Sequence, residues 1–244
     1  MGEWHGGVLA GFDLETTGTE PREARIVTAA VVEVAPDGEV LRRSLWLCDP
    51  GIAIPAQATA IHGISTERAA AEGRPAAEVA EEVARALAGL WSRGIPVVAY
   101  NASFDLTLLA AELHRHGLAP LGERAGLAGE ETGPVVDPLT IDRAVDRYRR
   151  GKRTLEAACA EYGVELSAAH DAGADALAAV GVARAIAARH DRVAGLGARE
   201  LHERQVGWYA HWARGFEEYL RRQGTPDAAI DPAWPLRALA PANG

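Results

Sequence analysis

The chain has 244 residues, 48% of them hydrophobic, with a formal net charge of −9 and two cysteines. That length and composition suit one ordinary domain with an extension and exclude a disordered chain. No apolar run approaches the ~20 residues of a membrane helix, and the charge excludes a protein that coats long nucleic acid by neutralising phosphates. The amino terminus lacks a signal-peptide pattern. Cys48 and Cys159 lack CxxC or metal-ligand spacing, so the sequence reads as a cytoplasmic protein with two free thiols.

In chain order, residues 8–15 read as a strand, and the β-branched run 25–34 reads as a second. Pro36-Asp37-Gly38 marks a turn into a return strand at 39–48. Residues 56–71 carry short helical signals. The apolar spacing of 75–92 predicts a helix, with Pro75 in its first turn. A buried strand at 95–100 precedes a helix at 103–116, and the Gly- and Ala-rich stretch 118–133 reads as a loop insertion. A short strand at 135–137 leads to helices near 138–148, 154–162 and 172–190. After Gly195 and Gly197 a further helix runs to about 223, followed by a Pro-rich, extended tail. The order is an α/β pattern with a mixed sheet. It divides into 1–195 and a C-terminal helical extension, 196–244.

Three groups of acids stand at element boundaries. Asp13 and Glu15 are two apart on a strand, so both face one way. Such a pair repels unless a cation lies between, and a divalent ion with oxygen ligands suits it. Asp105 sits in the first turn of a helix, where the dipole alone favours an acid by ~0.3–1 kcal/mol. His170 lies at the edge of a helix with Asp175 one turn inside. A gap of five does not share a helical face, so His170 reaches from the loop. Each group alone has an ordinary explanation, as a solvated strand edge, a helix-start acid or a helix cap.

Together, FDLETTG (12–18), NASFD (101–105) and His170-x4-Asp175 resemble the three motifs of the DEDDh, or DnaQ-like, 3′→5′ exonucleases. That family includes the epsilon proofreading subunit of bacterial DNA polymerase III, ribonuclease T and oligoribonuclease. IHGIS (61–65) is similar too, and the resemblance covers roughly residues 8–190. It implies a ribonuclease H-like fold, a five-stranded mixed sheet flanked by helices. It implies hydrolysis of nucleic-acid 3′ ends, DNA favoured over RNA, to nucleoside 5′-monophosphates. Asp13, Glu15, Asp105 and Asp175 would bind two Mg²⁺ or Mn²⁺ ions, with Asp13 bridging them and His170 as general base. The backbone at Thr16 and Thr17 would approach the terminal nucleotide, His62 or Ile64 would pack near the last base, and Phe104 would support Asp105. Histidine at 170, rather than tyrosine, marks the DEDDh branch.

Two features lie outside those motifs. The basic run 147–153, with Arg150 and Lys152, reads either as a phosphate grip on single-stranded DNA or as a solvated helix end. Leu201, Trp208, Trp212, Phe216 and Tyr219 recur at helical spacing. This stripe reads as a face that docks on the catalytic domain, forms a homodimer, binds another protein or stacks bases. No clamp-binding element is visible. Two other functions use the same pattern: a silent nucleic-acid-binding domain and a phosphodiesterase of small nucleotides. The intact set of acids argues against the first, and only substrates separate the second.

Overall fold

Strand β1 (Leu9–Thr16) pairs antiparallel with β2 (Ile26–Val34), which pairs antiparallel with β3 (Val40–Asp49). Side chains alternate between the two faces along them, and β2 is rich in β-branched residues. Gly38, at a φ of 94°, makes the turn that joins the second to the third. The computed structural model describes residues 3–124, 127, 131–167 and 169–239. Beyond β3 lie α1 (Ala56–His62), α2 (Thr66–Glu72), β4 (Arg74–Pro75), α3 (Ala76–Ser92), β5 (Val97–Val98) and α4 (Ala102–Arg115). Then come β6 (Val135–Val136), α5 (Pro138–Val145), α6 (Leu155–Tyr162), α7 (Ala172–Arg189), α8 (Asp191–Ala194) and α9 (Ala198–Arg222). The expected loop at 118–133 falls partly outside the described residues and otherwise holds a single helical turn, Leu121–Glu123.

The sheet has the order β4-β3-β2-β1-β5-β6, with β5 and β6 parallel to β1. This is the expected mixed α/β sheet with one strand more than the five anticipated. The addition is β4, two residues paired with Cys48 and Asp49 at the edge. Proline has no ladder donor and is tolerated at such an edge. Pro75 is therefore extended, with α3 beginning one residue later, instead of standing inside the helix.

Each face of the sheet has its own core. Phe12, Leu14 and Val31 pack with Val83, Leu87, Leu106 and Leu109 of α3 and α4. Val32, Val98 and Val136 pack on the other face with Ile141, Val180 and Ile186. Burying a side chain such as Phe12 stabilises by about 1.5–3 kcal/mol. Cys48 and Cys159 are buried free thiols, as expected. No helix among the described residues is long and apolar enough to cross a membrane.

Helix α9 closes the β6 side. Its buried residues are Leu201, Gln205, Tyr209 and Ala213, four apart. The Gln205 amide oxygen accepts from Asp137 N–H (2.7 Å), and its nitrogen donates to Val135 C=O (2.9 Å). Together with His202, whose Nδ1 accepts from Val135 N–H (3.1 Å), Gln205 satisfies the open edge of β6, which would otherwise bury unpaired backbone groups. The buried face is rotated from the stripe expected from the aromatics. Of those residues only Leu201 is fully buried, while Phe216 and Tyr219 are exposed. The tail returns across α4, with buried Trp234 in the first core and Arg237 N–H bonded to Thr107 Oγ1 (3.0 Å).

Candidate active site

The site stands at the C-terminal end of β1. Phe12 and Leu14 point into the first core, so Asp13 and Glu15 point to the opposite face, where α7 packs. Gly11 shares that face. A Cβ on Gly11 would lie 2.2 Å from the Ala176 carbonyl oxygen, so only glycine admits α7 this close to the strand. That approach delivers Asp175, next to Ala176, to the acids of β1. Sequence reading missed Gly11, because an interior strand glycine has many explanations.

Asp171 caps α7 by accepting from Ala174 N–H (2.9 Å). His170, just before it, has a φ of 65°, a left-handed conformation that histidine adopts more readily than bulky residues. Its N–H donates to Asp175 Oδ2 (3.2 Å). The exposed imidazole thereby comes back over the site: ligand atoms of Glu15, His170 and Asp175 lie within 4.8 Å of one another. Asp105 is buried in the first turn of α4, and its Oδ1 accepts from Leu14 N–H (3.1 Å), which fixes the carboxylate to β1. The α4 cap is Asn101 in the left-handed region, without a side-chain capping bond. Its N–H is taken instead by buried Asp137 Oδ1 (3.0 Å).

The electrostatics are those of a site short of positive charge. Burial raises the Asp13 carboxyl well above its usual range, and Asp105, Glu15 and Asp175 push it further. Burial and the charges of Asp175 and Asp171 push Glu15 up to about 8. Burial raises Asp105 against the N–H of Leu14, and raises Asp175 against the N–H of His170. Asp175 Oδ1 is buried with no hydrogen-bond partner. Unprotonated acids packed this way, one with an orphaned oxygen, fit hard divalent cations bound through oxygen.

A cleft of about 680 Å³ opens beside these groups, lined by Glu15, Trp46, His62, Ile64, Arg68 and His170. His62 Nδ1 accepts from Ile64 N–H (3.1 Å), so the neutral ring carries its proton on Nε2. Burial and nearby His170 lower the His62 pKa; the Thr16 backbone pulls the other way, although no hydrogen bond of normal geometry reaches the buried Nε2. Thr16 Oγ1 donates to Gly18 C=O (2.8 Å), while the Thr17 hydroxyl accepts from Arg25 N–H (2.9 Å) and holds the turn. Phe104 is half-buried against the first core.

The basic run is partly consumed within the fold. Arg149 and Arg153 both pair with buried Asp142, which Tyr162 also bonds. Arg150 and Lys152 are exposed. Sequence reading assigned no partner to this run, because Asp142 looks like any helix acid.

An exonuclease family model matches residues 10–183, which include all four acids and His170. The chain belongs to this exonuclease family. Among its relatives, DNA polymerase III subunit epsilon of Treponema pallidum is 30% identical over 68% of this chain and 69% of its own length. The 3′-5′ exonuclease DinG of Bacillus subtilis is 33% identical over 43% of this chain and 11% of its own. E. coli Exonuclease I, solved with a dA16 oligonucleotide, superposes with a TM-score of 0.63 at 22% identity. That likeness covers 77% of this chain and 42% of Exonuclease I, and it concerns the fold alone. The exonuclease fold here is the expected one, and α9 lies beyond the matched residues.

Proposed function

We propose that the chain is a 3′→5′ exonuclease, with single-stranded DNA favoured over RNA, that releases nucleoside 5′-monophosphates by a two-metal-ion mechanism. The observation that carries this reading is the convergence of Asp13, Glu15, Asp105 and Asp175 beneath an exposed histidine, with Asp175 Oδ1 orphaned. The four acids would hold two Mg²⁺ or Mn²⁺ ions. Bound there, such ions acidify water and neutralise charge on the phosphate.

The chain's own residues supply the rest. In the reaction, water oxygen bonds the terminal phosphorus while the bond to the preceding nucleotide's O3′ breaks. That oxygen takes a proton from solvent and leaves as the new 3′ hydroxyl of the shortened strand. His170 takes the proton of the attacking water, and its position on an exposed, left-handed turn suits a base that leaves with the proton to solvent. His62 and Ile64 line the cleft and pack near the last base of the terminal nucleotide. The Thr16 backbone meets the 3′ hydroxyl, with Thr17 holding the turn, and Phe104 backs Asp105. Arg150 and Lys152 draw in the approaching strand from the surface.

The test uses one single strand labelled at the 5′ end and the same strand labelled at the 3′ end, with Mg²⁺ or EDTA. The expected result is a ladder from the 5′ label, immediate release of labelled mononucleotide from the 3′ label, and neither in EDTA. Internal cuts, or shortening from the 5′ end, would overturn the reading.

A further inference from the structure

Past its docking face, α9 presents rings that the catalytic reading does not use. Trp212, Phe216 and Tyr219 form a ladder, with centroids 5.4 and 6.3 Å apart and planes inclined by only 14° at each step. Phe216 is 37% exposed and Tyr219 49%, so the stacked ladder ends in exposed, near-parallel rings. Beside it runs a groove of about 860 Å³ between α9, α5 and the returning tail.

The charge of that groove opposes the charge of the chain. Arg143, Arg147, Arg153 and Arg237 line it and, among the described residues, no carboxylate does, in a protein of net charge −9. Arg153 is neutralised by Asp142. The Arg143 guanidinium lies 3.7 Å from the centroid of the Trp212 ring, and Arg147 is exposed. Arg237 donates to Ser103 Oγ (3.3 Å), yet its Nε is buried without a hydrogen-bond partner. Asn101, the cap of α4, whose first turn carries Asp105, also lines the groove.

Exposed aromatic rings beside guanidinium groups match a single strand, whose bases stack and whose phosphates need cations. A second copy of this chain fits poorly. A two-fold contact centred on the groove would set these arginines against one another.

We propose that this groove binds single-stranded nucleic acid upstream of the 3′ end, its bases against the exposed rings of Phe216 and Tyr219 and its phosphates on Arg143, Arg147 and Arg237. The inference rests on the exonuclease reading for what lies at the other end of the strand. It gives that site a means of favouring long single strands over short ones.

The test compares the full chain with a Phe216→Ala/Tyr219→Ala double variant and with Arg147→Ala, all three changes being at exposed positions. Fluorescence anisotropy in EDTA measures affinity for an oligothymidylate of about twelve nucleotides, and for an abasic strand of the same length, without turnover. The double variant is expected to bind the oligothymidylate about 10-fold or more weakly. Its affinity for the abasic strand is expected to match that of the wild type. Arg147→Ala is expected to shallow the salt dependence by about one released counterion. With Mg²⁺, the preference for the long strand over a dinucleotide is expected to collapse in the double variant. Unchanged affinity, no oligothymidylate binding by the wild type, or a wild-type dimer that these changes split into monomers would overturn the groove. If the exonuclease reading alone is wrong, neither strand is shortened, while binding in EDTA still decides the groove.

Discussion

Replacing Glu15 with glutamine is expected to stabilise the metal-free protein, although it removes a metal ligand. The Glu15 carboxyl is held at about 8 against an ordinary 4.5, by burial and by Asp175 and Asp171. At 1.36 kcal/mol per pH unit that is about 5 kcal/mol. Glu15 is only half-buried, and solvent screening brings the figure down to roughly 2 kcal/mol. The sign follows from linkage. An acid whose folded-state pKa is raised costs nothing below its unfolded value, so the penalty grows as pH rises from 4.5 and is complete above about 8. Urea denaturation in EDTA at acid, neutral and alkaline pH measures it. The wild type is expected to lose stability across that window, and Glu15→Gln to lose roughly 2 kcal/mol less. Adding Mg²⁺ is expected to restore the wild type and leave the variant largely unmoved. A wild type equally stable across the window in EDTA, or a variant less stable than wild type at alkaline pH, would refute the reasoning.

Three other substitutions probe the frame around the acids. His170→Ala is expected to lower kcat by about 10²-fold or more with little change in KM; an unchanged kcat would discharge histidine as the base. Gly11→Ala forces a methyl into the Ala176 carbonyl, so a loss of about 1–3 kcal/mol is expected together with reduced turnover as Asp175 shifts. Gly6→Ala, where a Cβ meets nothing within 4 Å, is the matched control, and equal effects at both positions would sink the close-packing argument. Gln205→Leu leaves Asp137 N–H and Val135 C=O at the β6 edge unpaired, at about 1–3 kcal/mol each. A thermal midpoint equal to that of the wild type would show that the edge does not depend on this amide.

The sequence displayed the acids more plainly than it displayed their support. Asp13 and Glu15 are legible because a strand's period of two puts them on one face, and Asp105 and Asp175 because each stands in the first turn of a helix. The hydrophobic runs of β1, β2 and α3 are equally direct. What brings the acids together is not local. Gly11 matters through a helix 165 residues later, and Asp137 through donors on α4, α5 and the tail. The buried face of α9 was obscured because its central residue is a glutamine; hydropathy favours the tryptophans, while the β6 edge needs an amide. Strand β4 is too short for any periodicity, and its proline argues for a helix start.

The most direct test of the account sets the wild type beside Asp13→Asn on a 5′-labelled single strand with Mg²⁺, with urea melts of both proteins in EDTA. The account predicts that the variant is folded and at least as stable as the wild type, because an acid raised by burial and by its neighbours has been neutralised, and that it leaves the strand intact while the wild type shortens it from the 3′ end. A folded variant that shortens the strand at the wild-type rate would contradict the assignment of these acids as the metal-binding centre.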